Sequence, residues 1–474
     1  MSENTTSSWG ELFTPRYATV TLILCLGVAL FAFNAFLAST ALPTAVQEVG
    51  GLGLISWATT LYLVFAIVGG AGAALLKLRF GARSALLAST AMFLVGTLIA
   101  AQGGSMQEVL IGRSLQGLGE GVVGAICFAL IPDLFPSRLV PKVFGMQAVV
   151  WAVAAFGGPL GAGLLTELVS WRAAFLVNVP LALIFAGMVI FAIRDKHVRG
   201  EEQADFPGLR LLLIGGGIML VAIAGLSEPL PAAGLIAGAA VLLVAAVLKD
   251  RASTRTRLMP IGAFWPNSVV GSGLWVVLLI SAAGAMSAVY LVLLMQQLFG
   301  YGPLMAGAIG AVMAVAWSMS SIGVANVKQR DTRKLLVRTG PALIALGMAL
   351  ILVGLLTGQV AIIIVAQLTV GTGFGISSGY LNLTLMEAAS DSERDRTSAL
   401  IPTTQSAGNA LGAAFAGLAA NSAGFTLAVS HAEIEQAIAP VFVLAAATAA
   451  LAALAAWQTT RLIVPGSQSS FATE

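Results

Sequence analysis

The chain has 474 residues, of which 58% are hydrophobic and only 9% are charged, and it carries a net charge of +3. Soluble proteins average about 25% charged residues, so this composition excludes an ordinary soluble domain and favours the lipid bilayer as solvent. The small excess of positive charge follows the membrane topology described below, and it therefore indicates no nucleic-acid partner.

Fourteen apolar segments, each long enough to cross a bilayer, follow one another through the chain. A span needs about 20 mainly apolar residues and must satisfy its backbone polar groups internally, so each segment is predicted to be a helix. The predicted spans are 18–43, 54–76, 84–102, 108–132, 143–166, 173–193, 209–226, 232–248, 267–298, 304–327, 335–356, 360–386, 397–423 and 437–460. The connections are too short to fold as domains, so the function must reside among the helices.

Lysine and arginine residues are distributed very unequally between the two sides of this arrangement. If the N-terminus is inside, all 24 basic residues except Arg113 and Arg172 fall on the inner side. The positive-inside rule therefore predicts cytoplasmic N- and C-termini. One miscounted span would invert the asymmetry downstream, so the pattern also supports the count of fourteen.

The basic loops suggest an internal repeat. The most basic short gaps, 77–83 and 328–334, each follow the second helix of a six-helix group if the seventh and eighth spans are an inserted pair. We therefore predict an all-α polytopic membrane protein with repeated halves, a plan typical of transporters with a central site. Its parts are a cytoplasmic segment (1–17), an N-terminal six-helix bundle (18–193), a linker with two extra transmembrane helices (194–266), a C-terminal six-helix bundle (267–460) and a cytoplasmic tail (461–474).

Only two ionisable residues lie unambiguously within a span, Arg113 and Glu120, and both are in the fourth. Such residues cost about 2.5 to 3.5 kcal/mol each at the centre of a membrane helix, so they are functional candidates. Helical spacing places Arg113, Gln116 and Glu120 on one face. Burial disfavours the ionised carboxylate more strongly than Arg113 favours it, so Glu120 is predicted to exchange protons near neutral pH. The alternative is that both residues only hold helices together.

Other polar or aromatic side chains at depth are candidates for contact with a substrate. Asn34, Trp151 and Tyr290 lie well inside their spans, and Gln405 adds a polar edge to the thirteenth. Together with Gln116 they form the predicted substrate-binding set. Because Glu120 is the only acidic residue clearly at depth, an enzymatic site is not expected, and neither a metal nor a cofactor is predicted.

Three motifs resemble those of the major facilitator superfamily, and within it those of the fourteen-span drug:proton antiporters. Residues 113–119 resemble the fourth-helix Arg-x-x-Gln-Gly-x-Gly motif, and residues 158–163 resemble the fifth-helix antiporter motif Gly-Pro-x-x-Gly-Gly with alanine replacing one glycine. Residues 171–180 are similar to the Trp-Arg-x-x-Phe-x-x-Asn-Val-Pro run that leads into the sixth helix. The resemblance covers essentially the whole chain.

The resemblance implies two states related by rocking of two six-helix bundles around a central cavity. It also implies that Arg113 assists proton movement. It assigns a conformational role in export to the fifth-helix motif residues Gly158, Pro159, Gly161 and Gly163.

Two departures from the family pattern bear on this interpretation. The family usually carries an Asp in the first helix, where this chain has Asn34, so Glu120 is expected to replace that Asp. The family's basic loop motif after the second helix, to which the resemblance assigns a conformational role, retains only Arg79, Gly81 and Arg83.

We therefore predict a monomeric transporter that exports hydrophobic or amphipathic small molecules by alternating access, in exchange for protons. Its partners are a lipophilic small molecule, protons and membrane lipid. The membrane expected for such a transporter is the cell inner membrane. One alternative keeps the fold but moves a lipid or a specific metabolite, with or without proton coupling. Another is a receptor or scaffold that transports nothing, for which no substrate-dependent flux would be measured.

Overall fold

The computed structural model is almost entirely helical. It describes residues 9–136, 139–193, 208–253, 259–260, 262–325, 327, 329–390 and 393–463. The α-helices of these residues are α1 (Ala18–Val49), α2 (Ile55–Phe80), α3 (Ala82–Gln102), α4 (Met106–Leu134), α5 (Val140–Leu168), α6 (Trp171–Leu176), α7 (Asn178–Ala192), α8 (Gly208–Ala224), α9 (Pro229–Ala252), α10 (Val269–Gln297), α11 (Pro303–Val324), α12 (Arg330–Leu356), α13 (Val360–Ala388), α14 (Arg394–Ser422) and α15 (His431–Arg461). Short 3-10 helices at Trp9–Phe13 and Leu52–Leu54 precede α1 and α2.

Each of the predicted apolar segments coincides with a helix, with one interruption. The segment 173–193 is divided into α6 and α7 at Val177. Pro180 explains the division, because its ring clashes with a helical carbonyl four residues earlier, which here belongs to Leu176. The basic residues predicted at 138, 194, 196, 199, 255, 257 and 328 lie outside the described residues.

Twelve segments of the described chain are long and apolar enough to cross a membrane. Helix α8 is apolar but has only 17 residues. Helix α14, which contains Thr403, Thr404, Gln405 and Asn409, is not among the twelve. The chain is thus a multi-pass membrane protein, while the count of fourteen spans and the orientation of the termini stay predictions.

Several helix ends are fixed by local chemistry. The Ser105 hydroxyl accepts a hydrogen bond from the Glu108 N–H at 3.4 Å and caps α4. Ser430 and Glu433 form a reciprocal capping box at the start of α15, which satisfies two backbone donors that the helix leaves unpaired. Gly81, between α2 and α3, has a φ of 84°, a value that L-residues with a side chain rarely adopt.

The helices form two packed groups. In the first, α2 and α3 pack against α4, and α1 packs against α5 and α7. In the second group, α13 packs against α11 and α12. Helix α15 packs against α10 and α12, and α10 also packs against α14. Helices α8 and α9 pack against each other, and α8 contacts both α2 and α14. The extra pair therefore lies beside the junction of the groups; the domain boundaries given above stay a proposal.

The two groups meet where α5 packs against α11 and α2 packs against α14. Small residues allow this approach: a Cβ added to Gly163 of α5 would lie 2.5 Å from the Leu304 Cα of α11. Likewise, a Cβ on Gly307 would lie 2.8 Å from the Pro159 carbonyl oxygen. The helix backbones are therefore in direct contact.

Hydrogen bonds join the groups at the same end. The side chains of Thr44 and Gln47 donate to the Gln296 Oε1 at 3.5 and 3.4 Å, which connects α1 to α10. The Glu167 carboxylate accepts from the Leu304 N–H at 3.3 Å, in the first turn of α11. We call this region, built from the C-terminal parts of α1, α5 and α10 and the N-terminal parts of α2 and α11, the joined end.

Candidate functional site

Helix α4 lies unusually close to α2 because glycines line the contact. A Cβ on Gly117 would lie 2.1 Å from the Tyr62 carbonyl oxygen, and a Cβ on Gly121 would lie 2.1 Å from that of Ala66. Side chains at these positions would force the helices apart. The close approach brings the polar residues of α4 within hydrogen-bonding distance of α1, α2 and α3.

Glu120 lies at the centre of this region and is only 2% exposed. Its Oε2 accepts hydrogen bonds from the Asn34 side-chain amide at 3.0 Å and from the Tyr62 hydroxyl at 2.6 Å. Its Oε1 is buried and has no hydrogen-bond partner among the described residues. One oxygen of the carboxyl group is thus held by donors from α1 and α2, while the other is available.

Arg113, on the same face of α4, is also buried. It donates to the Gln116 Oε1 at 2.7 Å and to the Ala58 carbonyl at 3.4 Å. Its guanidinium carbon lies 4.0 Å from the centroid of the Tyr62 ring, a favourable cation–π distance. Among the described residues no salt bridge joins Arg113 to Glu120. Tyr62 connects them instead, because its ring faces the guanidinium and its hydroxyl binds the carboxylate.

Further polar residues complete the arrangement from α3 and α7. The Gln116 amide nitrogen donates to the Thr97 hydroxyl at 2.9 Å, and the Asn178 amide nitrogen donates to the Asn34 Oδ1 at 3.3 Å. All of these side chains are buried. We call the set the buried polar cluster; its members are Asn34, Tyr62, Thr97, Arg113, Gln116, Glu120 and Asn178.

The structure brings together four residues that the sequence singles out. Arg113, Gln116 and Glu120 share the predicted face of α4, and Asn34 reaches the same place from α1. The proton-coupling role of Glu120 and Arg113 stays a prediction. The alternative that the sequence left open, in which these residues tie helices together, agrees with the same contacts, so only a transport measurement separates the two.

Sequence reasoning missed three members of the buried polar cluster. Tyr62 lies early in the second span, where a tyrosine is usually a membrane-interface anchor. Asn178 belongs to the motif before the sixth span, and Thr97 lies in the third span outside any of the motifs. The available signal was a polar side chain within an apolar segment, which by itself does not say what it contacts.

Trp151, Tyr290 and Gln405 lie outside the buried polar cluster. Trp151 is 39% exposed and its ring contacts that of Phe31 edge-on, with 5.7 Å between centroids. Phe31 in turn stacks on Tyr62 at 6.0 Å, so an aromatic row leads from the exposed Trp151 to the cluster. Tyr290 is buried, and its hydroxyl has no partner within the described structure. Gln405 is half-buried on α14. Their substrate-binding roles stay predictions.

The fifth-helix motif faces two neighbouring helices. A Cβ on Gly158 would lie 2.7 Å from the Phe36 Cβ of α1, and Gly163 faces the Leu304 backbone of α11. A Cβ on Gly161, in contrast, would meet nothing within 4 Å. The motif therefore lies at the joined end, and only some of its glycines are required by close packing.

The basic residues of the degraded loop motif lie at the turn between α2 and α3. Arg79 is in the last turn of α2, with its guanidinium carbon 5.6 Å from the centroid of the Phe80 ring. Gly81 forms the turn, and Arg83 is in the first turn of α3. The conformational role that the resemblance implies for these residues stays a prediction.

Comparison with known proteins gives concordant matches. The family model described as Major Facilitator Superfamily matches residues 24–413. A probable multidrug-efflux transporter of Mycobacterium tuberculosis (strain ATCC 25618 / H37Rv) is 34% identical over 437 residues, covering 88% of this chain and 90% of that protein. Multidrug resistance protein 3 of Bacillus subtilis (strain 168) is 24% identical over 380 residues, covering 78% and 72%.

Solved structures show the same fold at low sequence identity. The D-xylose-proton symporter matches with a TM-score of 0.67 and 17% identity, covering 93% of this chain and 97% of the symporter. An auto-inhibited peptide transporter of the POT family matches with a TM-score of 0.68 and 16% identity, covering 95% and 99%. At this identity the likeness concerns the arrangement of helices alone.

Proposed function

Since this chain belongs to the Major Facilitator Superfamily and is therefore a membrane transporter, we propose that it exports hydrophobic or amphipathic small molecules in exchange for protons. The mycobacterial and Bacillus relatives, both named for multidrug transport or resistance, support efflux as the direction. The observation that carries proton coupling is Glu120, a buried carboxyl group hydrogen-bonded to Asn34 at the place where related antiporters usually have a first-helix Asp.

The proton step depends on how the surroundings treat the two forms of Glu120. The ionised form is stabilised by the Asn34 amide, the Tyr62 hydroxyl and the nearby Arg113, whereas burial favours the neutral form. Protonation weakens the hydrogen bonds that the carboxyl group accepts from Asn34 and Tyr62. Because those donors belong to α1 and α2, the change in protonation acts directly on two helices that contact the second group.

Helix α1 offers a route from the proton site to the joined end. Asn34 binds Glu120, and Thr44, ten residues later and about 15 Å along the helix, donates to Gln296 of α10. Helix α1 is continuous over this length although it contains Pro43, so we expect a shift at Asn34 to be passed on to Thr44. Loading and release of the proton would thereby bias the opening of the two ends, as alternating access requires.

The aromatic row from Trp151 through Phe31 to Tyr62 suggests how substrate and proton affect each other. An amphipathic molecule that lies on the exposed part of Trp151 would press on Phe31 and so on the Tyr62 ring. Tyr62 is also the donor to Glu120, so binding of substrate would disfavour one protonation state of the carboxyl group. Tyr290, which is buried in this state, and Gln405 are the residues of the second group that we expect to contact the substrate.

Transport in proteoliposomes tests the proposal. We expect lipophilic cations or neutral drugs to be driven uphill by an imposed pH gradient in the wild type. Glu120→Gln should abolish uphill movement while downhill exchange remains, because the amide keeps the size of the side chain but cannot carry a proton. Glu433→Gln, which alters an exposed carboxylate at the start of α15, is the matched control and should behave as wild type.

Other outcomes identify the alternatives. Uphill transport by Glu120→Gln would refute the assigned role of this residue. Flux that ignores the pH gradient in both proteins would indicate an uncoupled carrier, whose cargo would then be sought among lipids and metabolites. Absence of flux for every compound in the panel would favour a receptor or scaffold.

A further inference from the structure

Asn178, the first residue of α7, is a buried amide that is hydrogen-bonded to Asn34 of the proton site. It is fully buried and donates to the Asn34 Oδ1 at 3.3 Å. Its own Oδ1 is buried without a partner in the described part of the chain. A buried amide that leaves one hydrogen-bonding atom unsatisfied costs stability, so an effect on Asn34 would explain its presence.

The orientation of Asn34 decides whether Glu120 is stabilised or repelled. An asparagine side chain presents a donor at one end and an acceptor at the other. In the structure the Asn34 Nδ2 points to the Glu120 Oε2 at 3.0 Å, and the Oδ1 points to Asn178. Rotation of the Asn34 amide by half a turn would place its oxygen against the carboxylate, where it can only repel the ionised form.

We propose that Asn178 is a positioning residue that holds Asn34 with its donor toward Glu120, and thereby sets the pH at which the site takes up its proton. This inference rests on the proposed function, because it concerns the same carboxyl group. Asn178 acts through Asn34, since no hydrogen bond joins it to Glu120 in the described structure. Asn178 thus affects the proton affinity of Glu120 without a hydrogen bond to its carboxyl group.

The other groups that act on Glu120 can be separated from this effect. Of the helices packed against α4, α2 supplies the titratable Tyr62, and Arg113 acts from α4 itself. Helix α3 contributes Thr97, which bonds to Gln116 on the Arg113 side of the cluster and does not titrate. A substitution at Asn178 leaves all of these contacts in place, so its effect reports on Asn34.

A double-mutant cycle read by infrared spectroscopy tests the proposal on the purified full-length protein in lipid. The signal is the C=O stretch of the protonated Glu120 carboxyl group, assigned by its absence in Glu120→Gln and followed as a function of pH. Asn178→Leu should move the pH of half-amplitude upward by about one unit, a tenfold change in proton affinity, because the ionised form loses an oriented donor. In an Asn34→Leu background the same substitution should cause no further shift.

Two comparisons keep the result interpretable. Gln367→Leu removes a buried amide from α13 in the second group, where it donates to the Gly310 carbonyl, and should leave the half-amplitude pH unchanged. If Asn34→Leu does not fold, Asn34→Ser, which also lacks the amide, takes its place. An unchanged half-amplitude pH in Asn178→Leu, or an equal shift in both backgrounds, overturns the inference while the proposed function stands. A Glu120 signal that never titrates overturns both.

Discussion

At the scale of single residues, the proposed replacement of the first-helix Asp by Glu120 depends on the hydrogen bond between Asn34 and Glu120. Asn34 and Glu120 are 3.0 Å apart, so the proton carrier could stand at either position. We expect Asn34→Asp to restore uphill transport to Glu120→Gln. The moved carboxyl group loses one or two hydrogen bonds of about 1 kcal/mol each, so the rate should fall about fivefold to thirtyfold below wild type. Drug flux under an imposed pH gradient measures it.

The matched control places an acid elsewhere in the membrane. Gln367→Glu, combined with Glu120→Gln, adds a buried carboxyl group to α13 in the second group, away from Tyr62 and Arg113. It should not restore coupling. If both acids restore uphill transport equally, or if neither does, then the location of the carboxyl group next to Asn34 does not explain the role of Glu120.

The same residues show how far the sequence alone could go. Glu120 and Arg113 were identifiable because an ionisable group in an apolar helix is costly, and the helical period correctly placed Gln116 with them. Tyr62 was not identifiable, because its bond to Glu120 joins positions 58 apart in the chain. Local patterns contain no information on such a contact, and they also suggested a direct attraction between Arg113 and Glu120 where the Tyr62 side chain in fact intervenes.

At the scale of helices, the fifth-helix motif separates into glycines that packing requires and one that it does not. A Cβ on Gly163 would lie 2.5 Å from the Leu304 Cα, and a backbone atom cannot move aside as a side chain can. Gly163→Ala should therefore destabilise the contact between α5 and α11 by about 1 to 3 kcal/mol, which lowers the population of the joined arrangement roughly fivefold or more. Transport should fall accordingly.

Gly161→Ala provides the comparison within the same motif, because its Cβ would meet nothing within 4 Å. It should transport normally, and alanine even favours the helix slightly over glycine. Spin labels on α5 and α11 would report the separation of the two helices by pulsed electron resonance. A longer separation in Gly161→Ala, or an unchanged one in Gly163→Ala, would contradict this steric assignment.

Helix positions followed from hydropathy, but helix contacts did not. The repeated motif glycines looked alike in sequence, and only the structure distinguishes Gly163, which faces a neighbouring backbone, from Gly161, which faces open space. The interruption of the sixth span at Val177 was also not predicted, although Pro180 is its cause. Hydropathy averages over a whole segment and predicts where the chain lies in lipid, whereas a helix break depends on a clash at a single backbone position.

At the scale of the whole molecule, the two groups are joined at one end by α1 with α10, α5 with α11 and α2 with α14. If both termini are cytoplasmic as predicted, the joined end is the outer one, and the structure is a state closed to the outside. Export then requires these contacts to separate in each cycle. Contacts within one group can persist throughout, because each group moves as a unit in the proposed mechanism.

This distinction can be tested by cross-linking at the joined end. In Thr44→Cys/Gln296→Cys, whose parent side chains approach to 3.5 Å across the two groups, a short reducible thiol cross-linker should stop transport, and reduction should restore it. The control, Glu48→Cys/Arg172→Cys, replaces side chains 2.6 Å apart within the first group at the same end, and its cross-link should leave transport intact. The two native cysteines are buried, so the reagent reaches the introduced thiols first. If transport continues with the first pair fully cross-linked, the two groups do not need to separate at the joined end. Alternating opening of that end is then not part of the cycle.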